Sequence, residues 1–332
     1  MEELLNKVNQ LINSSNNIPE ELKPIIKCIC RGYIRESNGQ IPIEGIMNVC
    51  NTHFIKIDES NNLFKGEENI LGCTETNYDN NCNVIHRLSY VNASNYIKLI
   101  LIMVHELGHV ITESKPCTID NDIYPLAKRT TTIYHTCMYQ DNILTAKNFF
   151  GFRMADGFLE SISSKIVSSP EFRQELKNVG YDLENYEYKD ERLFPSRIYD
   201  EYKACFELFD YIMDGKLFEF SCMAFNSNEE LEAYIKTNRL EIIFFHLDKS
   251  NDALWALKKY EGKEWTKEFE ELLNNYQQHK NNSLLVAEIC AEWFGKSKTD
   301  QKYQELYETY SKTLDKQKTF PSNVEFKENK QK

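Results

Sequence analysis

The sequence predicts an α+β protein, predominantly helical, in which a small β-sheet packs on one long apolar helix and a helical C-terminal region follows. Three observations predict it. The β-rich runs HFIKI (53–57) and NVIHRLSYV (83–91) both precede the apolar stretch 97–111. Apolar residues recur at helical spacing in later segments, as in Phe158, Leu159, Ile162 and Ile166. A chain of 332 residues, 41% hydrophobic with nineteen Tyr and nineteen Phe, holds enough apolar surface for a sizeable core.

Taken in order, residues 1–35 read as one or two amphipathic helices, broken near Asn16, Asn17 and Pro19. Residues 41–58 mix helical and strand character, and HFIKI is the strand within them. A loop rich in Asn, Gly and Glu is expected over 59–82. In the next strand Val84, Leu88 and Tyr90 share one face, with Arg87 and Ser89 on the other. Asn92 and Ser94 are N-cap residue types for a helix over about 94–114. Residues 115–150 read as irregular, with TTTIY (130–134) a short strand, and 151–170 as a second helix stopped by Pro170. After a charged, Tyr-rich loop, helices are expected over 197–214, 217–226, 228–237, 239–259, 265–280, 283–294 and 300–315. The expected division is 1–75, 76–215 and 216–318, with a polar, disordered tail at 319–332.

Composition excludes some functions. The net charge is −12, whereas a surface that tracks phosphates needs clustered Lys and Arg, so no nucleic-acid partner is expected. The opening residues lack the apolar run of a secretory signal. The most apolar stretch, 97–111, is interrupted by Lys98, His105, Glu106 and His109, so it reads as a buried helix and no membrane partner is expected. Ten cysteines without a regular framework read as reduced thiols in a cytoplasmic protein. Oligomeric state has no signature here.

The stretch LILIMVHELGHVITES (99–114) carries the chemistry. Residues four apart share a helix face, so His105 and His109 aim at one point, as two zinc ligands must. Glu106 is rotated about 100° from His105, which lets it flank the ion and take a proton from an activated water. Two imidazoles and a carboxylate in an apolar helix are costly without partners. Gly108 in mid-helix costs about 1 kcal/mol relative to Ala and signals close backbone packing. A catalytic zinc needs a third protein ligand and an open position. The metzincin spacing fails, because Lys115 stands where its third His belongs. His135, with Cys137 nearby, is a weak alternative; Asp156 and Glu160, one turn apart on the second helix, are the stronger source.

HELGH (105–109) followed some fifty residues later by ADGFLES (155–161) resembles the gluzincin clan of zinc metallopeptidases, over roughly 83–215. The resemblance implies a zincin-like core, one zinc per chain and a peptide or protein substrate. In the clan the first acid of the second helix binds zinc and the acid one turn later holds a ligand histidine. Those positions fall on Asp156 and Glu160. The clan has Glu where this chain has Asp156, so a shifted register with Glu160 as ligand stays open. Related peptidases stabilise the oxyanion from a Tyr, His or Arg beyond the third ligand, which points to Arg197, Tyr199 and Tyr202. Zincins also place a strand above the active-site helix as the rim that pairs with substrate. That role would fall to 84–91 and bring His86 and Arg87 near the groove.

The function expected from these residues is zinc-dependent peptide-bond hydrolysis with Glu106 as general base. Two alternatives are a zincin-fold protein that binds a peptide or partner without cleaving it, and a peptidase of the ImmA-like, regulator-cleaving kind. The latter also shows HELGH, but the acid expected two residues before Ala155 is Arg153.

Overall fold

The structure is a computed structural model that describes residues 1–57, 72–78, 84–91, 96–112, 117–119, 122–124, 135–140, 143–148, 152–184, 198–223 and 301–317, with scattered positions between 234 and 300. Helices α1 (Glu2–Ser14), α2 (Lys23–Glu36) and α3 (Ile43–Asn51) lead into strands β1 (His53–Ile57), β2 (Gly72–Tyr78) and β3 (Val84–Val91). Helix α4 (Tyr96–Ile111) follows, then two antiparallel strand pairs: β4 (Cys117–Ile119) with β5 (Asp122–Tyr124), and β6 (His135–Gln140) with β7 (Ile143–Asn148). Helices α5 (Phe152–Ser168), α6 (Pro170–Asn178), α7 (Ile198–Ile212), α8 (Lys216–Cys222) and α9 (Gln301–Gln317) complete the described elements. The architecture is thus mostly helical with a small mixed sheet, as expected.

One apolar core runs through α1–α5, α7 and α9. It joins Val8, Ile29 and Tyr33 to Val104, Phe158, Phe206 and Tyr310, all fully or almost fully buried. Helix α4 is sunk in this core, buried from Ile100 to Gly108 without a break. An α-helix that is apolar on all sides belongs in the interior. Its polar exceptions are therefore the residues that need explaining.

The sheet has the order β1-β3-β2, with β3 in the centre, parallel to β1 and antiparallel to β2. This corrects two expectations. Strand 84–91 is central and not the rim expected: β2 pairs with Val84–Tyr90 on one edge and β1 with Arg87–Val91 on the other. Among the described residues the edges are β1 and β2, and β2 lies in the stretch expected to be a loop. Its sequence GCTETNY lacks apolar alternation, since an edge strand beside a helix need bury only small residues on one face. Two further stretches also differ. Residues 115–150 contain four short strands, although TTTIY lies outside the described residues. Pro170 does stop α5, but it also opens α6 at the first helical turn, where a missing N–H costs nothing. The Ser169 hydroxyl caps that helix by accepting from Phe172 N at 3.4 Å. Across α6, Glu175 accepts from both Arg31 and Arg35, tying the helix to α2. The helices expected over 239–280 and the tail lie outside the described residues.

Candidate metal centre

Two helices build the site. His105, Glu106 and His109 come from α4, Asp156 and Glu160 from α5. The helices approach closely because of a glycine. A Cβ on Gly108 would stand 2.6 Å from Leu159 Cδ2 of α5 and closer still to the Tyr33 hydroxyl of α2. That hydroxyl donates to the Val104 carbonyl at 2.7 Å, fixing the turn that carries the histidines. Gly157 does the same on the other side of α5, where a Cβ would collide with the Tyr202 carbonyl and lie 2.8 Å from Phe206 Cβ of α7. Asp156 is thus set by a tight three-helix stack.

The close packing makes a stability prediction. Gly108→Ala gains about 1 kcal/mol of helix propensity. It also drives a methyl into a phenol held by a hydrogen bond, and such overpacking costs roughly 1–3 kcal/mol, sometimes more. The expected net result in urea unfolding is a loss of stability. A variant as stable as the parent would show that Tyr33 can yield.

The imidazoles of His105 and His109 meet edge to face, with ring centroids 5.0 Å apart and their Nε2 atoms 3.2 Å apart. Asp156 Oδ1 lies 3.5 Å from His109 Nε2. One atom from each of these three residues falls within 4.8 Å of the others. Donors around one tetrahedral ion at zinc–ligand distances stand roughly 3.3–3.6 Å apart. The two contacts of 3.2 Å and 3.5 Å fall close to that range, so these three residues fit a metal ion.

Glu160 lies elsewhere. Its Oε1 is 2.7 Å from His105 Nδ1, on the far side of the ring from the Nε2 atoms, and its side chain is 2% exposed. A carboxylate in that place fixes the ring orientation and leaves Nε2 as the coordinating atom. The geometry thus gives Asp156 and Glu160 different neighbours, which their spacing left open.

The electrostatics suit a cation. Burial works against a charged His105, but the hydrogen bond and charge of Glu160, then the charges of Glu106 and Asp156, outweigh it and push the imidazole up to about 9. Carboxylates of Glu160, Glu106 and Asp156 thus all favour positive charge at His105.

Glu106, almost fully buried, points to the sheet side of α4. The Thr74 hydroxyl of β2 lies 2.8 Å from Glu106 Oε2 and 3.1 Å from the Glu106 carbonyl. Gly72, two residues earlier on the same face, makes room: a Cβ there would sit 3.0 Å from Glu106 Cγ. Sequence reasoning misses both, because it assigns their stretch to a loop. Thr74, two residues after a Gly in a β-prone run, is the signal that could have found them.

The remaining predicted residues separate. Cross-strand partners share a sheet face. Thr76 pairs with His86 and Thr74 with Leu88, so His86 lies on the α4 side, buried at 3% exposure. Arg87 pairs with Glu75 and His53 on the opposite, exposed face, away from Glu106. Tyr202 is half-buried on α7, beside the α5 turn that carries Asp156. Tyr199 is in the first turn of α7, but its side chain, like all of Arg197, lies outside the described residues. His135 and Cys137 lie on β6, and their side chains are likewise outside the described residues.

Comparisons with protein-family models, with curated proteins and with solved structures find no match to this chain.

Proposed function

We propose that this protein is a zinc-dependent peptide hydrolase of gluzincin type, with His105, His109 and Asp156 as ligands. The observation that carries the proposal is the meeting of two Nε2 atoms and the Asp156 carboxylate at ion-sized spacings, with Glu160 behind His105 and Glu106 to one side. When bound, zinc supplies a Lewis acid that polarises the scissile carbonyl and makes water a nucleophile near neutral pH. Glu106 takes the proton from the attacking water and carries it to the leaving amine nitrogen. Glu160 keeps the His105 ring in the tautomer that presents Nε2. Tyr202, on the helix packed behind Asp156, is the proposed oxyanion donor, with Tyr199 and Arg197 as its neighbours in sequence. An extended polypeptide is the proposed substrate, since β2 is an edge strand beside Glu106 and such edges add a peptide strand.

No helix among the described residues is long and apolar enough to cross a membrane. The seven described cysteines are all free thiols, which supports the proposed cytoplasmic location.

The test is direct. Zinc-loaded protein is expected to hold one zinc per chain and to cleave an unfolded polypeptide such as reduced casein. A chelator should stop the reaction and added zinc restore it. A protein that takes no zinc would sink the proposal. One that binds zinc tightly and cleaves nothing in a broad peptide library would favour the non-cleaving, peptide-binding reading.

A further inference from the structure

We propose that Thr74 is a positioning residue that holds the Glu106 carboxylate in its working orientation. The inference rests on the hydrolase reading and adds a residue to it. Glu106 has more internal freedom than the histidines. Glu160 fixes His105 from behind, whereas a glutamate side chain on a helix has three rotatable bonds and several staggered positions. The sheet reaches across to its carboxylate through the Thr74 hydroxyl, at 2.8 Å from Oε2. The Glu106 carbonyl, 3.1 Å away, is the longer alternative acceptor for the hydroxyl's single proton, so the carboxylate at 2.8 Å is the favoured partner.

The rest of β2 is arranged around this contact. Gly72 and Thr74 are on the face toward α4, and a side chain at 72 would stand 2.5 Å from Ile102 Cγ2 and 3.0 Å from Glu106 Cγ. The strand therefore leaves the Glu106 stem open at one position and grips its head two residues later. Thr74 pairs with Leu88, fully buried on the central strand, so its backbone is anchored in the sheet. Threonine is well suited to such a grip, because its β-branched χ1 is stiff and its hydroxyl can donate to a carboxylate.

The experiment has two arms, using Thr74→Val, which keeps the shape and removes the donor, and Thr74→Ser, which keeps the donor. In the first arm, urea unfolding of the metal-free protein is measured for Thr74→Val, Glu106→Ala, which removes the acceptor, and the double variant. The expected result is non-additivity, because the two side chains share one hydrogen bond. In the second arm, zinc-loaded proteins are assayed on reduced casein. Thr74→Val is expected to lower kcat about 10–100-fold with KM and zinc content unchanged, and Thr74→Ser to recover most of it. In the Glu106→Gln background, Thr74→Val should cost nothing further.

Additive unfolding energies, or a Thr74→Val protein with full kcat, would overturn the assignment while leaving the hydrolase reading intact. If the wild-type protein is no faster than Glu106→Gln, the hydrolase reading itself has failed. The catalytic role of Thr74 then fails with it, whatever the unfolding data show.

Discussion

Glu106→Gln is expected to slow casein hydrolysis by about two to four orders of magnitude and leave zinc binding as it was. The substitution keeps the size of the side chain and an oxygen that the Thr74 hydroxyl can reach, so the 2.8 Å contact has a replacement acceptor. What it removes is the ability to accept a proton. General acid–base catalysis contributes typically about 10²–10⁴-fold, so turnover should fall by roughly that factor. Zinc content should not fall, because Glu106 points toward β2 while the Nε2 atoms of His105 and His109 converge with Asp156. Parallel measurements of turnover and zinc per chain separate the outcomes. Full activity would remove Glu106 from the mechanism. Loss of zinc would make it a ligand and undo the division of roles between the two faces of α4.

Much of this site is legible in the sequence because it obeys a local rule. The i, i+4 spacing of His105 and His109 guarantees a shared face whatever the rest of the chain does. Gly108 announces close packing, and the structure supplies the Tyr33 hydroxyl and Leu159 as the neighbours that require it. Other features depend on tertiary placement. Asp156 and Glu160 are also i, i+4, so spacing says that both face α4 but not which meets the Nε2 atoms. That is decided by the height of α5 along α4, which Leu159 against Gly108 and the Tyr202 carbonyl against Gly157 fix from either side.

The sheet is misleading in sequence for the opposite reason. Strand β3 carries the apolar alternation because it is central, and alternation alone does not distinguish a centre from a rim. Strand β2, GCTETNY, carries no such signal, because on its α4-facing side Gly72 leaves no room for a larger side chain beside Ile102 and Glu106. Helix α6 is legible in principle, since Ser-Pro-Glu at 169–171 is a strong helix start; the same Pro170 that ends one helix begins the next.

The two acids of α5 should separate in metal-binding measurements. Asp156→Ala removes an atom from the group that meets at the ion, so zinc affinity is expected to collapse. Glu160→Gln removes charge from the 2.7 Å contact behind His105 but leaves an oxygen that can still accept from Nδ1–H. Changes of that kind typically cost about 10–100-fold in affinity. In the metal-free protein Asp156 is one of the charges that stabilise a protonated His105, so Asp156→Asn is expected to unfold somewhat more easily than the parent near neutral pH, as urea unfolding will show. The parent should then gain thermal stability as zinc is added, in proportion to the logarithm of zinc over Kd, and Asp156→Asn should gain little. If instead Glu160→Gln loses zinc and Asp156→Ala keeps it, the ligand lies one turn further along α5. The carboxylate now placed behind His105 would then have to swing to the Nε2 side, and the packing of Leu159 on Gly108 would have to shift with it.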